Sequence, residues 1–132
     1  MKKTFNDPDT IHPPAGDYSH AVRLEVGGGT LIFVSGQLPI DARGDVVGED
    51  DMGRQAKQAF ENVQAVLEAN GADMADIVKL TVYLVDIGRL GEMAVVRRRY
   101  LPDGPAPTST TVEVPALAMP GTLIEIEAVA AT

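Results

Sequence analysis

Alternation of apolar and polar side chains predicts a β-hairpin in the first third of the chain. Residues 20–26 alternate with a period of two, residues 27–29 are all glycine, and residues 30–35 are again rich in β-branched and apolar side chains. Such a pattern is typical of two strands joined by a glycine turn. Glycine triplets also occur in phosphate-binding loops, but this one leads into a strand rather than a helix N-terminus. Residues 1–17 hold Pro8, Pro13 and Pro14, which predicts an extended or looped segment and no helix.

Two stretches repeat their apolar residues with the helical period. The first begins after a capping residue, Asp50 or Asp51, and ends at Asn70-Gly71, where glycine provides a left-handed cap. Its apolar positions are Met52, Ala56, Ala59, Phe60, Val63, Val66 and Leu67. The second covers residues 89–101, with Leu90, Met93, Val96 and Tyr100 on one stripe. The Arg97–Arg98–Arg99 triplet suits the C-terminal end of that helix, where cations are favoured.

Three further strands complete the order β-β-α-β-α-β-β. They cover residues 77–85, 105–114 and 122–130, and the first is apolar on both faces, as expected of a central strand. This order predicts an α+β fold with two helices on one face of a mixed sheet. The uncovered face would carry Ile77, Thr81, Tyr83, Val85 and Leu123. An apolar face of this kind predicts a homo-oligomer with sites between subunits.

Two carboxylates interrupt the last strand. Glu125 and Glu127 share a face with Leu123 and Val129 and lie opposite the apolar Ile124 and Ile126, about 6.5–7 Å apart from the strand rise. They face either solvent or a polar cleft, and both interpretations stay open at this point.

Composition narrows the classes of function. The 132 residues suit one domain, and the net charge of −8 disfavours binding to nucleic acid. No cysteine is present, and no stretch has the length and apolarity of a membrane span or a signal peptide, so a cytoplasmic protein without membrane attachment is expected. His12 and His20 lack nearby carboxylates in a ligand pattern, so no metal site is predicted.

Several segments, taken in order, form a specific combination. They are Gly16-Asp-Tyr18-Ser-His-Ala-Val22, Phe33-Val-Ser35-Gly36-Gln37-Leu-Pro39, residues 55–62 and 67–71, Val78-Lys-Leu-Thr-Val-Tyr83, Val112-Glu-Val114 and Ile124-Glu-Ile-Glu-Ala-Val-Ala130. Together these segments resemble the RidA/YjgF family, also called the endoribonuclease L-PSP family. The resemblance covers residues 1–132 as a single domain. It implies a chorismate-mutase-like fold (bacillus type) and a homotrimer with an inner β-barrel and clefts at the subunit interfaces. It also implies hydrolysis of reactive enamines and imines to 2-keto acids and ammonia, without cofactor.

The resemblance carries over particular site residues. Tyr18, Ser35 and Gly36 match the family's cleft positions, and Glu125 matches the carboxylate that positions or activates water. In the deaminase branch an arginine precedes the Val-Glu-Val strand and binds the substrate carboxylate, but Ser109 occupies that position here. The family's cleft asparagine on the second helix is replaced by Ala94. The chain therefore resembles the branches that lack the arginine, and Arg23 or one of Arg97–Arg99 could replace it only from another element or subunit.

Two functions follow as hypotheses. The first is a cofactor-free enzyme acting on a small carbonyl compound, imine or related metabolite. In it Glu125 holds water, and Ser109, Thr110 or Ser35 and backbone N–H groups stabilise developing charge. The second is a non-catalytic trimer that binds a metabolite. An endoribonuclease is disfavoured by the charge of −8 and by the lack of a basic aromatic patch.

Overall fold

Six β-strands and two α-helices form the chain in the order β-β-β-α-β-α-β-β. The structure is a computed structural model that describes all residues from Met1 to Thr132. The strands are β1 Lys2–Asn6, β2 Ala21–Val26, β3 Gly29–Gln37, β4 Ile77–Leu84, β5 Thr108–Glu113 and β6 Ile124–Ala131. The helices are α1 Met52–Ala69 and α2 Leu90–Tyr100, and short 3₁₀ turns occupy Met74–Asp76 and Ile87–Arg89. No helix combines the length and the apolarity needed to cross a bilayer.

All six strands belong to one sheet with the spatial order β1-β2-β3-β6-β4-β5. Only β4 and β5 run parallel, and every other neighbouring pair is antiparallel. Helix α1 packs on β3 and β6, and α2 packs on α1. The predicted α+β fold with a mixed sheet and two helices is thus confirmed. We call the sheet surface toward α1 the helix side and the opposite surface the open side.

Helix α1 begins and ends where its sequence predicts. The carboxylate of Asp51 accepts a hydrogen bond from Arg54 N at 3.0 Å and so caps the first turn. At the other end Gly71 adopts a positive φ of 81°, and Asn70 Nδ2 donates to Val66 O at 2.8 Å. Between these caps the predicted apolar stripe is buried completely, from Met52 to Leu67.

Strand β6 forms the centre of the core with its even-numbered residues. Ile124, Ile126 and Ala130 have no exposed surface, whereas Glu125 and Glu127 on the open side are partly exposed. Burying one isoleucine contributes roughly 1.5–3 kcal/mol, so a one-residue shift of this strand would lose several such contributions and bury two carboxylates. The core therefore fixes which side chains β6 presents to the open side.

The first strand, β1, was missed by the sequence pattern. Residues Lys2–Asn6 pair antiparallel with β2 at the edge of the sheet, where the sequence predicts only an extended or looped segment. Their side chains are almost all exposed, including Phe5 at 66%. Backbone pairing with β2 and an exposed ion pair between Lys2 and Glu25 at 3.4 Å hold β1 in place. Since neither depends on a buried face, no hydrophobic alternation marks this strand in the sequence.

A register irregularity in β4 changes one predicted face. Between Ile77 and Lys79 the pairing with β6 shifts, so Ile77 turns into the core at 5% exposure and Val78 turns outward at 46%. The prediction that Ile77 lies on the uncovered face and Val78 on the buried one is wrong, because the bulge breaks strict alternation. Beyond the bulge the prediction holds, with Leu80, Val82 and Leu84 buried.

Candidate functional site

Glu125 lies directly against the backbone of Gly36 on the open side. Strand β3 loses its regular register with β6 between Val34 and Gln37, and Gly36 lies in this irregular stretch. A Cβ atom at position 36 would lie 2.8 Å from the carboxyl carbon of Glu125, far inside normal contact distance. Glycine at position 36 therefore leaves the space that the Glu125 carboxyl group occupies, and a larger residue there would displace that side chain.

The carboxylate of Glu125 has no hydrogen-bond donor within the chain. Burial raises its pKa above the ordinary value, and the nearby negative charge of Glu127 raises it further. A carboxyl group in this setting holds its proton to higher pH than a solvated one. Glu125 is therefore suited to donate and accept a proton, which is compatible with the water-activating role that the family resemblance predicts for it.

Glu127, two residues along β6, has a hydrogen-bond partner within the chain, whereas Glu125 has none. The hydroxyl of Tyr83 donates to Glu127 Oε1 at 3.0 Å, and this bond, more than burial, raises the pKa of Tyr83. Glu127 also lines a groove of about 380 Å³ on the open side. The other lining residues are Val22, Phe33, Val34, Ser35, Lys79, Thr81, Ala128 and Val129. Of the two carboxylates, Glu127 is thus fixed by a partner, and Glu125 is free.

Ser35 and Tyr18 differ in what they can offer a ligand. Ser35 Oγ donates to Ser19 O at 2.6 Å, so its proton is committed and the hydroxyl can only accept. The hydroxyl oxygen of Tyr18 accepts from Ala15 N at 3.2 Å, and its proton remains available. Tyr18 is 45% exposed, so a ligand can reach it.

A buried polar cluster supports this part of β3. His20 N donates to Asp7 Oδ1 at 2.8 Å, and His20 Nε2 lies 2.9 Å from His12 O. Since a carbonyl only accepts, Nε2 carries the proton and Nδ1 accepts from Gln37 Nε2 at 3.1 Å. Burial is the main cause that lowers the pKa of His20. The sequence places His20 on a strand face but carries no signal of this cluster.

Ser109 and Thr110 point to opposite sides of the sheet. Ser109 pairs with the buried Leu80 and faces the helix side, whereas Thr110 pairs with Thr81 and faces the open side. Within one chain, therefore, Ser109 and Glu125 do not share a face. Ser109 Oγ instead accepts a hydrogen bond from Arg97 Nη1 of α2 at 2.8 Å. Ala94 lies one helical turn before Arg97 and is half-buried.

The chain has no group of three or more His, Cys, Asp or Glu side chains arranged to hold a metal ion. The candidate site consists of Glu125 against Gly36, with Ser35 next to Gly36 in the chain. A second group, Ser109 with Arg97, lies at the other side of the sheet. Tyr18 stays a predicted member of the site from the family resemblance. Sequence reasoning named Tyr83 only as part of the uncovered face and Arg97 only as one of several possible replacements for the missing arginine, and it did not find the His20 cluster.

Comparison with known proteins shows to which family the chain is related. The family model described as "Endoribonuclease L-PSP" matches residues 10–132. A RutC family protein of Pyrococcus abyssi is 39% identical over 117 residues, covering 89% of this chain and 87% of the relative. The 2-iminobutanoate/2-iminopropanoate deaminase of Salmonella typhimurium is 36% identical over 134 aligned positions and covers 98% of both chains.

A solved structure agrees with these relatives. The crystal structure of RidA from an Antarctic Psychrobacter species superimposes with a TM-score of 0.83 at 31% identity, covering 96% of this chain and 98% of that one. The family model, the relatives and the fold thus indicate the same family. The chain belongs to the RidA/YjgF family, whose family model is that of endoribonuclease L-PSP.

Proposed function

We propose that this protein is a cofactor-free hydrolase that converts a small imine or enamine into the corresponding carbonyl compound and ammonia. The observation that carries the proposal is the state of Glu125, which is half-buried, free of internal hydrogen bonds and raised in pKa. Relatives named as 2-iminobutanoate/2-iminopropanoate deaminases, at 36% identity, support the substrate class. We further propose the homotrimer with clefts between subunits and the cytoplasmic location that the family resemblance implies.

Glu125 is proposed to act as both proton donor and proton acceptor. The protonated carboxyl donates to the imine nitrogen, or first to the enamine carbon, and becomes a carboxylate. The carboxylate then accepts a proton from a water molecule that adds to the imine carbon. The reprotonated carboxyl then donates its proton to the amino nitrogen of this adduct, the C–N bond breaks to release ammonia, and the hydroxyl proton returns to the carboxylate as the carbonyl forms. One water is consumed and no oxidant or reductant is needed.

Neighbouring groups are proposed to bind the reacting molecule. Gly36 makes room for the Glu125 carboxyl group against the backbone of β3, and the Tyr18 hydroxyl has a proton free for donation. Ser35 would contribute as an acceptor, since its own proton is committed to Ser19 O. The partly apolar open side, with Phe33 44% exposed and Val112 38% exposed, supports the assembly that would enclose this site.

The second candidate is a metabolite-binding trimer without chemistry. It is favoured by the serine at position 109, which leaves Glu125 as the one group with a clear catalytic character. Turnover decides between the two.

The test is a coupled assay in which an amino-acid oxidase generates 2-imino acids in the presence of semicarbazide. An active protein lowers semicarbazone formation because it hydrolyses the imine first. We expect Glu125→Gln to lose at least about 100-fold in rate, in the range typical of removing a general acid–base group. Glu68→Gln, which removes an exposed carboxylate from the end of α1, is the matched control and should act like the native chain. Undiminished turnover by Glu125→Gln, or none by the native protein, would refute the hydrolase.

A further inference from the structure

Arg97 is held at the edge of the sheet by a single hydrogen bond. It lies in the last turn of α2, its side chain is half-buried, and Nη1 donates to Ser109 Oγ at 2.8 Å. That bond gives the guanidinium one orientation relative to β5. An arginine serving only the helix dipole has no need of a partner on a neighbouring strand.

The charge of Arg97 is not neutralised within the chain. Acidic residues outnumber basic ones by 19 to 11, yet all six ion pairs involve other groups, and no carboxylate oxygen lies within 4.0 Å of Arg97. Its remaining N–H groups have no acceptor in the chain. The guanidinium is thus oriented, accessible and without a counter-charge.

Backbone donors lie beside this charge. Strand β5 is the last in the sheet and has a neighbour, β4, on one side only. Val114 N donates to Leu84 O at 2.8 Å, and backbone groups in a parallel pair point alternately toward and away from the partner strand. The N–H groups of Ser109 and Thr111 therefore point outward from the edge. Outward N–H groups next to a cation form a typical anion site.

We propose that Arg97, oriented by Ser109, binds the carboxylate of a small ligand at the β5 edge. The proposal rests on the proposed function in taking this ligand to be an imino acid or its 2-oxo acid product. Because Arg97 and Glu125 lie on different sides of the sheet within one chain, one ligand would meet both only in the proposed clefts between subunits. A guanidinium binds a planar carboxylate with two parallel hydrogen bonds. One such cation in a chain of net charge −8 suits a singly charged carboxylate better than a doubly charged phosphate. Arg97 thus supplies from α2 the charge that Ser109 does not carry.

Equilibrium binding of 2-oxobutanoate to the full-length protein, measured by calorimetry, tests this assignment. The variants are Arg97→Gln, Arg97→Lys and, as the matched control, Arg98→Gln, which removes the same charge from an exposed neighbour on the same helix. The uncharged 2-oxobutanamide and inorganic phosphate are the control probes. Circular dichroism and light scattering confirm that each variant keeps its fold and molecular mass.

We expect Arg97→Gln to weaken 2-oxobutanoate binding by roughly 10- to 100-fold, the range for losing charge-assisted hydrogen bonds. The affinity of Arg97→Lys for 2-oxobutanoate should lie between those of the native protein and Arg97→Gln, and the affinity of Arg98→Gln should stay within about twofold of native. The uncharged 2-oxobutanamide should bind the native protein and the three variants equally. Equal effects of Arg97→Gln and Arg98→Gln would overturn the proposal, as would phosphate binding more tightly than 2-oxobutanoate or no saturable binding to the native chain. A change of mass in Arg97→Gln would overturn it too, because Arg97 would then pair with a carboxylate of another copy.

The test of the Arg97 binding site can fail or succeed independently of the test of the hydrolase activity. A native protein that binds 2-oxobutanoate through Arg97 but does not hydrolyse imines supports the binding site and refutes the hydrolase. If the native protein and the Arg97→Gln variant hydrolyse imines with the same KM and kcat, the hydrolase is supported and the binding site is refuted.

Discussion

The carboxyl group of Glu125 occupies the space that any side chain at position 36 would fill. Gly36→Ala should therefore displace the Glu125 side chain and destabilise the protein by about 1 kcal/mol, the low end of the overpacking range, because that flexible side chain can move aside. Gly91→Ala is the matched control, since a Cβ there meets no atom within 4 Å, and it should stabilise α2 by up to about 1 kcal/mol. Denaturant unfolding measures both changes. In a Glu125→Ala background the cost of Gly36→Ala should shrink, and an equal cost in both backgrounds would contradict the contact.

The charge of Glu127 should contribute to the pH at which activity falls. Burial first, and the charge of Glu127 second, raise the pKa of Glu125, which must be protonated to donate to substrate, so activity decreases as pH rises through that pKa. Glu127→Gln removes the charge but keeps an oxygen for Tyr83. We expect the midpoint of this decrease in kcat/KM to move to lower pH, measured across the full profile with Glu68→Gln as control. An unchanged midpoint would show that the charge of Glu127 does not affect the pKa of Glu125.

His20 should make stability depend on pH in the mildly acidic range. Because its pKa is lowered in the folded protein, the unfolded chain takes up the proton first as pH falls below the ordinary value of 6.5. Stability is then complete above 6.5 and is lost as pH falls toward the folded pKa. Calorimetric Tm values between about pH 7.5 and pH 5 should drop less steeply for His20→Gln than for the native chain. If Tm falls with pH equally steeply in both proteins, groups other than His20 cause the loss of stability.

Ser109→Arg should be destabilising when Arg97 is present. The two side chains are neighbours at 2.8 Å in the native protein, so the variant places two guanidinium groups side by side. The combination Ser109→Arg with Arg97→Gln should recover the native Tm, and added salt should reduce the cost of the single variant through screening. A Tm of the single variant that neither salt nor Arg97→Gln restores would indicate a steric cause instead.

Sequence reasoning succeeded where one face of an element is buried. The alternation in β6 assigns Glu125 and Glu127 to the open side, and the helical period of α1 identifies its buried stripe, because burial enforces both patterns. The register change at Ile77 was not visible, since a bulge adds one residue without altering composition. Strand β1 was missed for a related reason, because its exposed side chains leave no apolar signal.

The candidate site was predictable only in part. Glu125 and Gly36 can be placed in one site from the family resemblance, but their contact depends on the irregular stretch of β3. Ser109 and Thr110 are adjacent in sequence, so strand geometry requires them to point to opposite sides, and a single-chain site could never contain both. The approach of Arg97 to Ser109 is a tertiary contact across twelve positions, and no local pattern encodes it.

The two ends of the sheet are unequal, and this has a consequence for aggregation. Lys2 and Lys3 occupy the β1 edge, where charged side chains oppose pairing with a further strand, whereas β5 carries four consecutive hydroxyl side chains. A strand-paired fibre of this chain would require the β1 edge of one copy to join the β5 edge of the next. Because the lysines disfavour pairing at one of these edges, we expect two β5 edges to join at most and growth by edge pairing to stop after a single addition.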